Sequence, residues 1–370
     1  MQNETANATP HEKTCHACLA SIPIGEKRCR YCGEKQLSPL EYRISQKFLH
    51  SRIGVYPATK LLLIVLVLLF IAMSIDIVTT DGYGLANALL EPPSELIYRW
   101  GAHLRGDFVW WRLITANFIH IGIIHIVFNA YALRYVSPYV ERAYGGSLTF
   151  VSFLFTGTVS MLMSNIFGAP GLVAGASGGL MGFIGLAAVS AHREKTALSL
   201  EVRNSMLKWA ASVMIFGIVV SQLTPMGIDN IAHAAGFAMG ALLGCILPTQ
   251  STTGFTKLRT IRLARLGLLL AIGITLTAFG FMTASSVSYR YQTECIAGIK
   301  LKTYSKAQKS CEIAYKTDKS QTISYHNYIL ISIITGKRDV ARSLCTEGRQ
   351  RFKNSPQPLS FDEMCRSIGR

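Results

Sequence analysis

Charge is scarce in this sequence. Only 16% of its 370 residues are Asp, Glu, Lys or Arg, whereas soluble domains run to about a quarter. Half of the residues are hydrophobic and the mean hydropathy is +0.30, which excludes an ordinary string of soluble domains and points to the bilayer. Acidic residues are the scarcer charges: 21 Asp and Glu against 37 Lys and Arg leave a formal net charge of +16. On a soluble protein this excess would suggest nucleic acid, but a membrane protein gathers Lys and Arg for topological reasons. No nucleic-acid partner is therefore expected. An early apolar segment is missing too. The first apolar run begins only at Leu61, so no cleavable signal peptide is expected.

What the chain does have is a series of apolar runs. The first, Leu61 to about Val78, follows a short basic lead-in at 52–60 with Arg52 and Lys60. At about 1.5 Å per residue it is long enough to cross the hydrocarbon core. Further runs at about 121–137, 147–167, 177–191, 208–223, 229–247 and 266–283 make seven candidate helical spans, an all-α membrane protein in contact with the lipid bilayer. The run from Ser177 is short and rich in glycine, which suits a span shielded by its neighbours. A wet aromatic segment at about 80–120, with Pro92, Pro93, Trp100, Trp110 and Trp111, suits the headgroup region. The loop after the fourth run carries Arg193, Lys195, Arg203 and Lys208, and that after the sixth carries Lys257, Arg259, Arg262 and Arg265. The opposite connections, 168–176 and 224–230, hold no Lys or Arg. The positive-inside rule then predicts a cytoplasmic N-terminus, and seven spans put the C-terminus outside.

The nine cysteines fit that topology. Cys15 and Cys18, then Cys29 and Cys32 ten residues on, form two Cys-x-x-Cys knuckles in the polar segment 1–51. This spacing predicts a tetrahedral structural zinc site in a small zinc-ribbon-like module, in a compartment that keeps thiols reduced. The alternative is a tail of unliganded or redox-active cysteines. Cys295, Cys311, Cys345 and Cys365 lack such pairing and fall in 284–370, on the expected oxidising side. Two disulfides are expected there, with three connectivities open. Within that segment Tyr325–Phe352 reads as an amphipathic helix pair broken at Gly336–Asp339, similar to one tetratricopeptide-type hairpin or a small helical domain without a binding role.

Three places carry candidate chemistry. Gly175-Ala176-Ser177-Gly178 opens the fourth run, and a serine at a helix N-terminus lies where free N–H groups favour a developing oxyanion. The same residues match the Gly-x-Ser-x-Gly elbow, but that motif needs a preceding strand and a surrounding sheet, which this context lacks. A second reading is close helix packing through Gly178-x-x-x-Gly182. His233 lies inside the sixth run, where an ionisable residue marks function or a structural bond, and Gly236, Gly240 and Gly244 extend its helix face. Packing of that face on the glycines around Ser177 would make a Ser–His pair without a carboxylate. Trp111-Arg112, His120, His125 and Asn129 precede and enter the second run, and His120 and Asn129 offer donors for an oxyanion hole. A metal site from His120, His125 and His233 is the rival, without an evident fourth ligand.

Taken together and in this order, these motifs with Glu141-Arg142 resemble the rhomboid family of intramembrane serine proteases over about residues 55–250. The resemblance implies a six-helix core at 52–250, a seventh helix following a cytoplasmic loop in 251–283, and an exported helical domain at 284–370. It implies Ser177 and His233 as a dyad that needs no catalytic cofactor. It makes His120, Asn129 and the Ser177 N–H the oxyanion donors. Trp111 and Arg112 would belong to the half-submerged first loop, Glu141 and Arg142 to structural support. Family members often carry an aromatic four residues after the serine; here Met181 stands there, a thioether still able to pack on an imidazole. The implied substrates are transmembrane helices that unwind locally, with small or helix-breaking residues near the cut. A bacterial inner membrane is the expected location, and the zinc module is a candidate dock for a cytoplasmic partner. Two other classes remain open: a silent relative that escorts membrane proteins, and a transporter, which requires a polar path through the whole membrane.

Overall fold

The computed structural model describes residues 12–15, 20–31, 33, 36, 56–106, 108–223, 227–249, 255–319, 322–352 and 365. A short hairpin comes first, β1 (Glu12–Thr14) antiparallel to β2 (Ser21–Pro23). Helix α1 (Pro57–Thr79) opens on a proline, whose missing N–H is harmless in the first turn. The segment expected to be wet and aromatic folds as α2 (Leu85–Leu90), α3 (Ser94–Arg99), β3 (His103–Leu104) and α4 (Arg112–Thr115), then a 3₁₀ turn at Ala116–Phe118. Helices α5 (Ile123–Tyr144) and α6 (Gly146–Phe167) meet at Gly145, whose φ of +83° breaks the helix between them. β4 (Leu172–Val173) pairs antiparallel with β3. Then come α7 (Ser177–Glu194), α8 (Ala197–Leu223) and α9 (Asn230–Ile246). Helix α10 (Phe255–Lys300) is followed by α11 (Tyr304–Thr317), α12 (Thr322–Ile334) and α13 (Arg338–Arg351).

A helix stands at each of the seven apolar runs, but only α1, α6, α8 and Leu263–Lys300 are long and apolar enough to cross a membrane on length and composition alone. Arg112–Phe118 with α5 would make a fifth, bent by 88°. Helix α7 falls short because its apolar stretch stops at Ala191, before His192, Arg193 and Glu194; 13 of its 18 residues are buried inside the protein. It needs no lipid-facing coat. Helix α9, 17 residues long, is apolar but short. Helix α10 also departs from expectation. It runs past 283 to Lys300, since no proline interrupts Phe255–Lys300.

Polar side chains tie these helices together where water cannot compete. Glu141 accepts from the backbone N–H groups of Ala58 and Thr59, both at 2.9 Å, and from Thr59 Oγ1 at 2.7 Å, so a carboxylate of α5 caps the N-terminus of α1. At the C-terminal end of α1, Arg99 bridges Asp76 (2.5 Å) and Asp81 (2.6 Å), and Trp100 Nε1 donates to Asp76 at 2.9 Å. Arg112, fully buried, donates to the carbonyls of Tyr98 (2.5 Å) and Ala102 (2.9 Å) and lies over the rings of Tyr98 and Trp111. That stack organises the loop between α1 and α5.

The chain divides into two compact units, Met1–Leu276 and Thr277–Arg370. In the second, α11–α13 pack as successive antiparallel hairpins around Tyr325, Ile329, Ile331, Ala307 and Leu344. The break between α12 and α13 falls at Gly336, with φ +74°. Helix α11 lies before the pair read from the sequence. The disulfides are Cys295–Cys311 and Cys345–Cys365, one of the three open connectivities. Glu347 collects Tyr315 Oη (2.5 Å), Lys319 Nζ (2.9 Å) and Tyr325 Oη (2.9 Å), and these bonds hold its carboxyl at about 2. A depressed carboxyl pKa stabilises the fold above the unfolded value and is lost as pH falls through the folded one. The melting deficit of Glu347→Gln against wild type, read by calorimetry of the full chain, should therefore be largest above about pH 4.5 and vanish towards about pH 2.

Candidate active site

The site begins with a contact that only glycine allows. A methyl group on Gly240 would overlap the carbonyl oxygen of Gly182, and one on Gly236 would overlap that of Gly178. Gly185 in turn faces the carbonyl of Phe237. Helices α7 and α9 therefore touch backbone to backbone at three places over about two turns, the close approach expected of small residues in membranes. Helix α6 closes the other side: a methyl group on Gly178 would lie 2.5 Å from Ser160 Cβ, and one on Gly179 2.8 Å from the Phe153 ring.

Ser177 is the first residue of α7, so its N–H is among the helix's free N-terminal donors. The approach to it is shaped by Gly175, whose φ of +130° and closeness to the His125 ring (2.6 Å from an added Cβ) both exclude a side chain. Across the contact, His233 sits in the first turn of α9. Its Nε2 lies 2.8 Å from Ser177 Oγ. His233 is buried and Ser177 half-buried. His233 Nδ1 has no hydrogen-bond partner among the described residues, so no carboxylate orients the ring as in a three-residue triad.

The other anticipated residues take distinct places. His120 and His125 stack edge to face, with centroids 5.0 Å apart. His120 Nε2 accepts from the N–H of Ala176 at 3.4 Å, and His125 Nδ1 from that of Ile121 at 3.3 Å. His120 thus braces the backbone just before the serine, and His125 the backbone leading into α5. In this geometry His120 presents an acceptor, and the proton assignment follows from that bond. Asn129 Nδ2 donates to the carbonyl of His125 at 3.0 Å, which leaves its second amide hydrogen for another acceptor. Met181 is buried in α7, and Trp111 and Arg112 serve the loop stack with Tyr98. Among the described residues no group of three His, Cys, Asp or Glu side chains is disposed to hold a metal, which leaves the His120–His125–His233 alternative without support.

Residues 107–250 match the Rhomboid domain. The chain is also similar to three curated proteins. RHOMBOID-like protein 4 of Arabidopsis thaliana is 28% identical over 178 residues, 47% of this chain and 44% of that protein. Rhomboid protease GluP of Bacillus subtilis is 30% identical over 176 residues, 48% and 33% of the two chains. Rhomboid-like protease 3 of Toxoplasma gondii is 27% identical over 140 residues, 38% and 52%. The chain thus spans about half the length, or less, of these relatives. With the apolar helices, these similarities support the rhomboid family and an integral membrane protein.

Sequence reasoning passed over three residues beside the candidate site. Asp229 caps α9 through Ala232 N–H (3.0 Å), and its other carboxylate oxygen takes Arg105 Nη2 at 2.8 Å and the hydroxyl of Ser164. A capping signal was legible at Asp229, an acidic residue before an apolar helical run. Arg105 and Ser164 gave none, because their partner lies far along the chain. The glycine contact predicts a sharp contrast. Gly240→Ala should destabilise by about 1–3 kcal/mol through overpacking, seen as a lower melting temperature in detergent, while Gly280→Ala, with nothing within 4 Å, should not.

Proposed function

We propose that this protein is an intramembrane serine endopeptidase that cuts transmembrane segments of other membrane proteins. The observation that carries the reading is the 2.8 Å approach of Ser177 Oγ to His233 Nε2 at the buried α7–α9 contact. Ser177 Oγ attacks the scissile carbonyl carbon while its proton passes to His233 Nε2. The tetrahedral oxyanion forms beside the N-terminus of α7, where the Ser177 N–H, the remaining Asn129 amide hydrogen and His120 serve as donors. His120 serves once its Nε2 carries the proton and turns from Ala176 to the oxyanion. Collapse breaks the C–N bond, and His233 returns the proton to the leaving amine. Water then attacks the acyl-serine, His233 takes its proton, and Ser177 recovers it as the acid departs. The substrate must first unwind, since a helix hides its carbonyls in its own hydrogen bonds.

The same reading places the chain in a bacterial inner membrane with the N-terminus inside and the C-terminus outside. The Lys and Arg of 193–208 and 257–265 support that orientation, as do the disulfides of the second unit. Cleavage of a single-span substrate in detergent tests the chemistry. Ser177→Ala and His233→Ala should each lower the rate by at least about a thousand-fold, with the fold retained by circular dichroism. Undiminished cleavage by Ser177→Ala would remove the assignment, and a folded wild type inert on several substrates would favour a silent binding role.

We further propose a structural zinc ion on Cys15, Cys18, Cys29 and Cys32. Cys18 and Cys32 lie outside the described residues. Cys15 and Cys29 are buried together with Ile22, Gln36 Nε2 donates to Cys15 Sγ at 3.2 Å, and the N–H of Gly33 donates to the Cys29 carbonyl at 2.7 Å. The buried Cys15 and Cys29 and the backbone bond from Gly33 back to Cys29 fit a four-thiolate site. The ion would supply folding energy and no step of catalysis. Elemental analysis of the purified chain should find one zinc per molecule, and Cys15→Ser with Cys29→Ser should lose it. A metal-free wild type with its thiols reduced would sink the proposal.

A further inference from the structure

We infer that Asp229, anchored by Arg105 and Ser164, is a positioning residue that sets the reach of His233 to Ser177; the inference rests on the dyad reading above. The two oxygens of Asp229 have separate duties. Oδ1 accepts from Ala232 N–H at 3.0 Å, and the Asp229 main-chain carbonyl accepts from His233 N–H at 3.0 Å. The turn that carries the imidazole is therefore bonded twice to this one residue. Oδ2 faces away from α9 and takes Arg105 Nη2 at 2.8 Å and Ser164 Oγ.

Arg105 is itself fixed from several sides. Its Nε donates to Ser164 Oγ (2.8 Å), its Nη1 to the carbonyl of Ala169 (2.7 Å) and its backbone N–H to the carbonyl of Gly171 (3.0 Å). Gly171 leads into β4, and four residues after β4 comes Ser177. Asn165 adds a clamp beside it, its Oδ1 2.8 Å from both His103 Nε2 and Gly106 N. The ion pair thus joins the backbone that delivers the serine to the helix that delivers the histidine. Both side chains are largely withdrawn from solvent, 17% and 12% exposed, where a charged hydrogen bond is screened less than at the surface.

The glycine stripe explains why such an anchor matters. Backbone-to-backbone contact sets how close α7 and α9 come, but it offers few side-chain knobs to fix α9 along its own axis. Its ends do that. Arg193 holds the carbonyls of Gly244 (2.7 Å) and Leu247 (2.8 Å) at the C-terminus, and Asp229 holds the other end, one turn from His233.

An ordinary helix cap makes a different prediction, because Asn caps as well as Asp. Asp229→Asn keeps an acceptor for Ala232 but replaces the Arg105-facing oxygen by a donor; Arg105→Ala keeps the cap and removes its anchor. Both should lower kcat about ten-fold or more with KM within about two-fold. Fluorophosphonate labelling of Ser177 should slow in parallel, at a temperature where melting curves show each variant folded. Arg105→Lys, which restores a charge to Asp229, should recover part of the loss. Wild-type kcat and labelling in both Asp229→Asn and Arg105→Ala would overturn the inference alone. A wild type that neither cleaves nor labels at Ser177 would overturn the dyad assignment and this inference with it.

Discussion

The contact between α7 and α9 is the constraint on which the rest of the core depends. Helices in lipid gain little from burying apolar side chains against each other, because the acyl tails are as apolar as leucine. What brings two of them together is surface that fits without leaving voids, and here that surface is backbone. Gly178, Gly182 and Gly185 on one helix meet Gly236, Phe237 and Gly240 on the other with no side chain between the facing atoms. A side chain at Gly185, Gly236 or Gly240 would strike the backbone of the facing helix and force the two apart. The serine and the histidine are within reach of each other because of residues that have no side chain at all.

Such a smooth contact has to be pinned by polar groups, and the membrane makes them effective. Glu141 pins the start of α1, Arg99 its end, Arg112 the intervening loop, and Asp229 with Arg193 the two ends of α9. Each joins a charged side chain to backbone donors or acceptors at a helix terminus, or to an opposite charge, where the alternative is an unsatisfied group out of water. Arg193 also belongs to the basic loop that marks the cytoplasmic side in our reading, so one charge has both a topological and a packing role. The second unit, Thr277–Arg370, is held differently. Two disulfides and a tyrosine-rich cluster around Glu347 stabilise a domain with a small apolar core.

Much of the helical plan was legible in the sequence, because long apolar runs have few alternatives in a bilayer. The limits of that reading are as instructive. Helix α7 does not pass as a free-standing span, since its apolar stretch is short and gives way to His192, Arg193 and Glu194 at its C-terminal end. The run to Lys300 was cut short at 283, because hydropathy reports where lipid ends and not where hydrogen bonding along the helix ends. Helix α11 was passed over, its apolar stripe being interrupted by lysines.

The sequence by itself determined local matters: where the long apolar helices lie, that a serine opens one of them and a histidine lies in another, and that glycines line the same helix face as the histidine. Only the tertiary structure decided which atoms meet. It brought Ser177 to 2.8 Å from His233 across 56 residues, turned His120 Nε2 towards Ala176, chose Cys295–Cys311 and Cys345–Cys365 among the pairings, and joined Arg105 to Asp229 over 124 residues. The reason is physical. Helix formation follows from neighbours within about four residues, whereas the register and rotation of one helix against another depend on surfaces assembled from the whole chain.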